Sequence, residues 1–160
     1  MYLVTRSAIE GRWSIEKGSL LMSEENKAIV QRFFEEIWNA GNLEIADEII
    51  DNGYRQTDFT TGHRHMVGPE VLRHEVDAYR SVTDNRHFDV EEIIAEGDKV
   101  VAHWEATFTL RDKPESPGPV RGVSIHHIVD GKIAGISLYS LALLGNAAWL
   151  PGIFASDHHP

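Results

Sequence analysis

The 160-residue chain contains no cysteine. That absence excludes disulfides, a thiolate metal centre and a thiol nucleophile, and leaves carboxylates, histidines and hydroxyls as sources of chemistry. Long apolar runs are missing too. No stretch approaches the roughly 20 apolar residues of a membrane-spanning helix, so no membrane is expected. Positive charge is scarce, with 15 Lys and Arg against 25 Asp and Glu and a formal net charge of −10. A surface so acidic repels phosphate backbones, and no nucleic acid is expected as a partner. Internal repeats and low-complexity tracts are absent as well. What remains is ordinary globular material, 42% hydrophobic and 25% charged, of a length that fits one domain.

Residues 1–21 carry Arg6, Glu10, Arg12, Glu16 and Lys17 and lack the apolar stretch of a signal peptide. They are set apart here as an extension before a domain over residues 22–148, with residues 149–160 as a tail. Without an export signal the expected location is the cytoplasm.

Ser23 is suited to cap a helix, and Glu24 and Glu25 place negative charge where the helix dipole favours it. Two adjacent rows four residues apart follow, Ile29, Phe33 and Ile37 beside Val30, Phe34 and Trp38, which together form the stripe of a 3.6-residue helix. Asn39-Ala40-Gly41 ends it, with Gly41 as a left-handed cap. Leu43–Ile50 reads as a second, shorter helix, stopped by Asp51-Asn52-Gly53. Tyr54–Thr61 reads as a short strand. Pro69–Val82 reads as a third helix, with proline in its first turn.

The second half changes period. His87–Ala95 and Lys99–Leu110 read as strands, the latter alternating Ala102, Trp104, Ala106 and Phe108 against His103, Glu105 and Thr107. Lys113–Pro119 is a loop by composition. Val120–Val129 and Lys132–Leu141 flank Asp130-Gly131, a two-residue hairpin signal. Three helices followed by three or four long antiparallel strands predict an α+β fold, with helices covering one face of a curved sheet.

Four segments in this order, FFEEIWNAGNLEIADEII, GPEVLRHEVDAYRS, AEGDKVVAHWEATF and RGVSIHHIVDGKIAG, resemble SnoaL-like proteins of the wider NTF2-like and ketosteroid-isomerase-like superfamily. The resemblance covers about Met22 to Gly145. It implies a cone in which a bent antiparallel sheet wraps around the N-terminal helices, with a mostly apolar pocket for a small-molecule ligand, usually in a homodimer. Polyketide ester cyclases of the family use an aspartate on the last strand, near a histidine on the strand before it, as acid and base in an aldol closure. Here the last strand, GISLYSLALLG, offers Ser140 where that aspartate is expected. The paired aspartates with arginine of related epoxide hydrolases are absent as well.

His126 is the leading catalytic candidate. Neighbouring strand residues face opposite ways, so His126 and His127 point to opposite faces; if Ser124, His126 and Ile128 face inward, His126 is a pocket histidine. An imidazole with an ordinary pKa of roughly 6.5 suits acid, base or donor roles. Asp58, placed near the rim of the cavity beside His63 and His65, and Ser140 are the assisting candidates. Glu105 falls on the polar face of its strand, which suits a surface or dimer contact. Trp38, Trp104, Phe34, Tyr54 and Leu138 are expected to shape the ligand cavity, with the segment Trp149–Phe154 as a cap or a contact with a second subunit. His63, His65 and His126 contain three imidazoles, but no acidic residue stands at a recognised ligand spacing, so neither metal nor cofactor is expected. The reading is cofactor-free proton transfer on a carbonyl compound, by cyclisation or isomerisation. The alternatives are a binding module without turnover and a dimerisation domain.

Overall fold

The computed structural model describes residues 6–59, 64–66, 68–111 and 119–141, with side chains for residues 18–59, 68–70, 72–111 and 119–140. Helix α1 runs over Arg6–Arg32, longer than expected. It passes through Ser23 without a cap because nothing upstream breaks it: the segment has no proline, and the isolated Gly11 and Gly18 cost only about 1 kcal/mol each. No helix among the described residues is long and apolar enough to cross a membrane.

The continuation, Phe33–Asn39, is wound as a π-helix. The amide of Ala40 bonds to Glu35 O at 2.9 Å, five residues back. This wider winding brings the consecutive Phe33 and Phe34 into the core together with Ile37, and leaves Trp38 half-buried. The strict 3.6-residue stripe expected as far as Trp38 therefore ends at Arg32. Gly41 has φ +72° as expected of a left-handed cap, and a Cβ there would collide with the Arg80 guanidinium.

A single 3-10 turn, Leu43–Ile45, leads into the short helix α2, Ala46–Ile49. Strand β1, Ile50–Asp58, starts earlier than expected, and β2, Arg64–Met66, pairs with it. Helix α3 occupies Pro69–Val82 and β3 follows without a loop at Thr83–Glu96. Two register shifts in β3, with Asn85 at φ 50°, hide its first residues from a period-two reading. Strands β4, β5 and β6 span Lys99–Leu110, Val120–Val129 and Lys132–Leu141. Asp130 and Gly131 both take positive φ, as the tight turn between β5 and β6 requires.

The six strands form one curved, unclosed sheet in the order β2-β1-β6-β5-β4-β3. All neighbours are antiparallel except β1 and β6, which run parallel. The core lies between the concave face of this sheet and the helices. Val100, Ala102, Trp104 and Ala106 of β4 are buried against Val30, Phe34 and Ile37, as the alternation of β4 predicts.

Candidate functional site

Two strands put buried polar side chains on the concave face. Strand β1 turns Tyr54, Gln56 and Asp58 inward, and β5 turns Ser124 and His126 inward, all of them buried. The register places Gln56, Ile136, His126 and Val100 in one row across the sheet, and Asp58, Leu138, Ser124 and Ala102 in the next. Strands are about 4.8 Å apart, so Asp58 and Ser124 stand roughly 10 Å apart with Leu138 between them.

His126 has no exposed surface. Its Nε2 lies 2.9 Å from Ser124 Oγ, and Nδ1 has no hydrogen-bond partner among the described residues. The rings of Phe33 and Phe34 approach it edge-on, with centroids at 5.3 and 5.9 Å. Burial among these rings pushes the imidazole pKa down to about 3, because a charged ring has no water to solvate it. The ring is therefore neutral at neutral pH. It can exchange hydrogen bonds, but it does not act as the imidazolium acid that an ordinary pKa would allow.

Tyr54 donates from Oη to Gln56 Oε1 at 2.9 Å. Burial pushes its phenol well above the ordinary tyrosine range, and the charge of Glu75 adds to the rise. Asp58 is buried at the end of β1, 5% exposed. Ser140 pairs in register with Gly122 of β5, and both residues border a groove on the other side of the sheet. His63 and the side chain of His65 lie outside the described residues, as does the Trp149–Phe154 segment. No group of three or more potential metal ligands occurs among the described residues.

Trp38, Trp104 and Phe34 belong to one continuous ring cluster. Trp38 contacts Phe33, Tyr79 and Phe88, while Trp104 contacts Phe34 and Phe88 at 6.5 and 5.5 Å. Phe34 thus joins His126 to Trp104. The indole of Trp104 lies across Gly122, where any Cβ would overlap it. Its Nε1 has no hydrogen-bond partner among the described residues. Glu105, on the opposite face of β4, forms an ion pair with Arg121.

A groove of about 480 Å³ opens on the other, solvent-facing side of the sheet. Phe59, His103, Arg121, Val123 and Tyr139 line it, and the rings of Phe59 and Tyr139 stack at 4.8 Å.

Two interior polar residues escaped the sequence reading. Gln56 shares the inward parity of Tyr54, a signal available in the alternation of β1. Glu75 falls between Leu72, Val76 and Tyr79 on the buried face of α3. A carboxylate at a stripe position was the signal.

Several solved structures share this architecture. A candidate polyketide cyclase from Acidithiobacillus ferrooxidans has a TM-score of 0.66 at 21% identity, over 74% of this chain and 89% of that one. A candidate SnoaL-like polyketide cyclase from Jannaschia sp. CCS1 has a TM-score of 0.67 at 20% identity, over 84% and 95%. A protein of ketosteroid isomerase-like fold from Catenulispora acidiphila, solved with trimethylamine, has a TM-score of 0.61 at 15% identity, over 69% and 83%. At these identities the likeness is one of fold. No curated protein matches the chain by sequence. The model of the SnoaL-like domain matches residues 30–136, from the end of α1 into β6, and the chain belongs to that family.

Proposed function

We propose that this chain is a cofactor-free proton-transfer enzyme of the SnoaL-like type, acting on a small apolar carbonyl compound held against the concave face of the sheet. One observation carries the reading: a broken band of buried polar side chains, Gln56 and Asp58 on β1 and Ser124 and His126 on β5 with Ile136 and Leu138 between them, lies on an otherwise apolar face. Packing alone gains nothing from such a band, since each polar group costs free energy to bury. The solved neighbours described as polyketide cyclases support the reaction class.

In this reading His126 stays neutral and offers a hydrogen bond to the ligand carbonyl, where negative charge develops as a proton leaves the adjacent carbon. Asp58 is the acid/base partner on β1, and Ser140 is a further hydroxyl on β6. Phe34, Trp38, Trp104, Tyr54 and Leu138 provide the apolar walls. Exposed Phe59, Val123 and Tyr139 on the opposite face support a second copy of the chain as partner.

Binding without turnover is the second reading. Leu138 and Ser140 on β6, where the cyclases of the family place an acid, favour it. Deuterium wash-in separates the two. Protein in D2O is mixed with a panel of cyclic and aromatic ketones, and incorporation is followed by NMR. Proton transfer predicts incorporation above the solvent rate, falling roughly 100-fold in Asp58→Asn and His126→Leu. Ligands that bind with no incorporation above solvent would establish the binding module instead.

A further inference from the structure

Positive charge is scarce in this chain, yet three of its 15 Lys and Arg residues meet at one corner. There the end of α3, the start of β3 and the end of β4 come together. Arg80 binds the carbonyls of Trp38 and Asn39 at the end of the π-helix, and its guanidinium lies against Gly41. Arg111 donates from Nη2 to the carbonyl of Arg80 and from Nε to Asp84 Oδ1, both at 3.2 Å. Arg86 has no such task. It is half-buried, and its one hydrogen bond among the described residues, from Nε to Thr83 Oγ1, is long at 3.4 Å. Arg80 and Arg111 repel it, and the carboxylate whose field reaches it, Asp84, is held by Arg111. Burial and the two like charges hold the Arg86 guanidinium below its ordinary range, and it stays charged at neutral pH. Three cations thus face one carboxylate. The two helix ends beside them contribute about half a negative charge each, which leaves about one positive charge uncompensated.

We propose that Arg86, with Arg111 beside it, forms a binding site for the carboxylate of a small organic acid. The site does not depend on the proton-transfer reading and stands whether or not the chain turns a substrate over. Capping of helix-end carbonyls accounts for Arg80 and Arg111 and leaves Arg86 over. Only Nε of Arg86 bonds among the described residues, so the edge carrying Nη1 and Nη2 is left for a ligand. That edge is a rigid fork matched to two coplanar oxygens. A monoanion cancels the charge left over, whereas a phosphate dianion overshoots it beside Asp84. Apolar surface adjoins the cation. Tyr79, whose phenol feels the charge of Arg86, packs on the rings of Trp38 and Phe88, both half-buried. An acid with an apolar body therefore suits the corner better than a bare ion.

The test uses the full chain labelled with 15N-arginine, with the Arg86 Nε resonance assigned by its loss in Arg86→Lys. Benzoate is the probe, benzamide its neutral isostere and inorganic phosphate the competing anion, all at one ionic strength. The expected result is a saturable shift of the Arg86 resonance with benzoate and none with benzamide. Benzoate affinity, read from the ligand's own NMR signals, should fall roughly 10-fold or more in Arg86→Gln. It should fall several-fold in Arg111→Gln and be partly kept in Arg86→Lys, which holds the charge and loses the fork. An Arg86 resonance unmoved by benzoate, an equal shift with benzamide, or wild-type affinity in folded Arg86→Gln overturns the proposal. Tighter binding of phosphate than of benzoate overturns the carboxylate assignment. If Arg86→Gln does not fold, the wild-type resonance decides by itself. No turnover is read, so either outcome leaves the proton-transfer reading where it stands.

Discussion

Ser124 Oγ lies 2.9 Å from His126 Nε2, two residues along the same buried face of β5. The serine satisfies one ring nitrogen while the other has no partner among the described residues. Ser124→Ala would leave both nitrogens buried and unpaired, which costs about 1–3 kcal/mol. His126→Leu removes the polar ring together with its burial penalty, leaves only the rotatable Ser124 hydroxyl to find another acceptor, and costs less. Urea unfolding should therefore rank Ser124→Ala below His126→Leu in stability. The reverse order would mean that the imidazole makes bonds beyond the one to Ser124.

Glu75 and His126 act on stability with opposite pH dependence. Burial lifts the Glu75 carboxyl to about 7 in the folded state, above its ordinary 4.5. Its stabilising contribution is complete below 4.5 and is lost as pH rises through 7. His126, at about 3, lies below its ordinary 6.5, so its contribution is complete above 6.5 and is lost as pH falls through 3. Between pH 4.5 and 6.5 the two slopes oppose, each about 1.4 kcal/mol per pH unit. Relative to wild type, Glu75→Gln should gain stability with rising pH across that window, and His126→Leu should lose it. Urea midpoints at several pH values check both signs.

Gly122 is matched to Trp104. The two are paired across β4 and β5, and the indole occupies the space a Cβ at Gly122 would need. Gly122→Ala should cost about 1–3 kcal/mol through overpacking. A lowered melting temperature with altered tryptophan fluorescence is the expected result.

Asn39 ties the π-helix to β3. Its Nδ2 donates to Phe88 O at 2.9 Å, and its Oδ1 accepts from the Phe88 amide at 2.7 Å. Asn39→Ala leaves both backbone groups without this partner and should cost about 1–3 kcal/mol. Amide exchange at Phe88 should quicken in the variant while the centre of β5 stays protected.

The strands β4, β5 and β6 were legible in the sequence because alternation and the Asp130-Gly131 turn are local signals. Helix α3 was equally local, bounded by Pro69. The π winding at Phe33–Asn39 was not legible, because two consecutive buried phenylalanines fit a helical stripe almost as well as a widened turn. The parallel pairing of β1 with β6 joins residues roughly 80 apart in sequence, and no local pattern encodes it. Strand parity set Ser124, His126 and Ile128 on one face of β5, but that this face turns inward, and that the ring is neutral, followed only from the packing of Phe33 and Phe34 around it. Glu75 was missed because Val76, beside it, satisfied the stripe without it.

The most direct test of the account is 15N NMR of the His126 ring, with and without a bound cyclic ketone. The prediction is a neutral imidazole at pH 7, one nitrogen hydrogen-bonded to Ser124 and the other shifting when the ketone binds. A protonated ring at pH 7, or a second nitrogen unmoved by every ketone that binds, would contradict it.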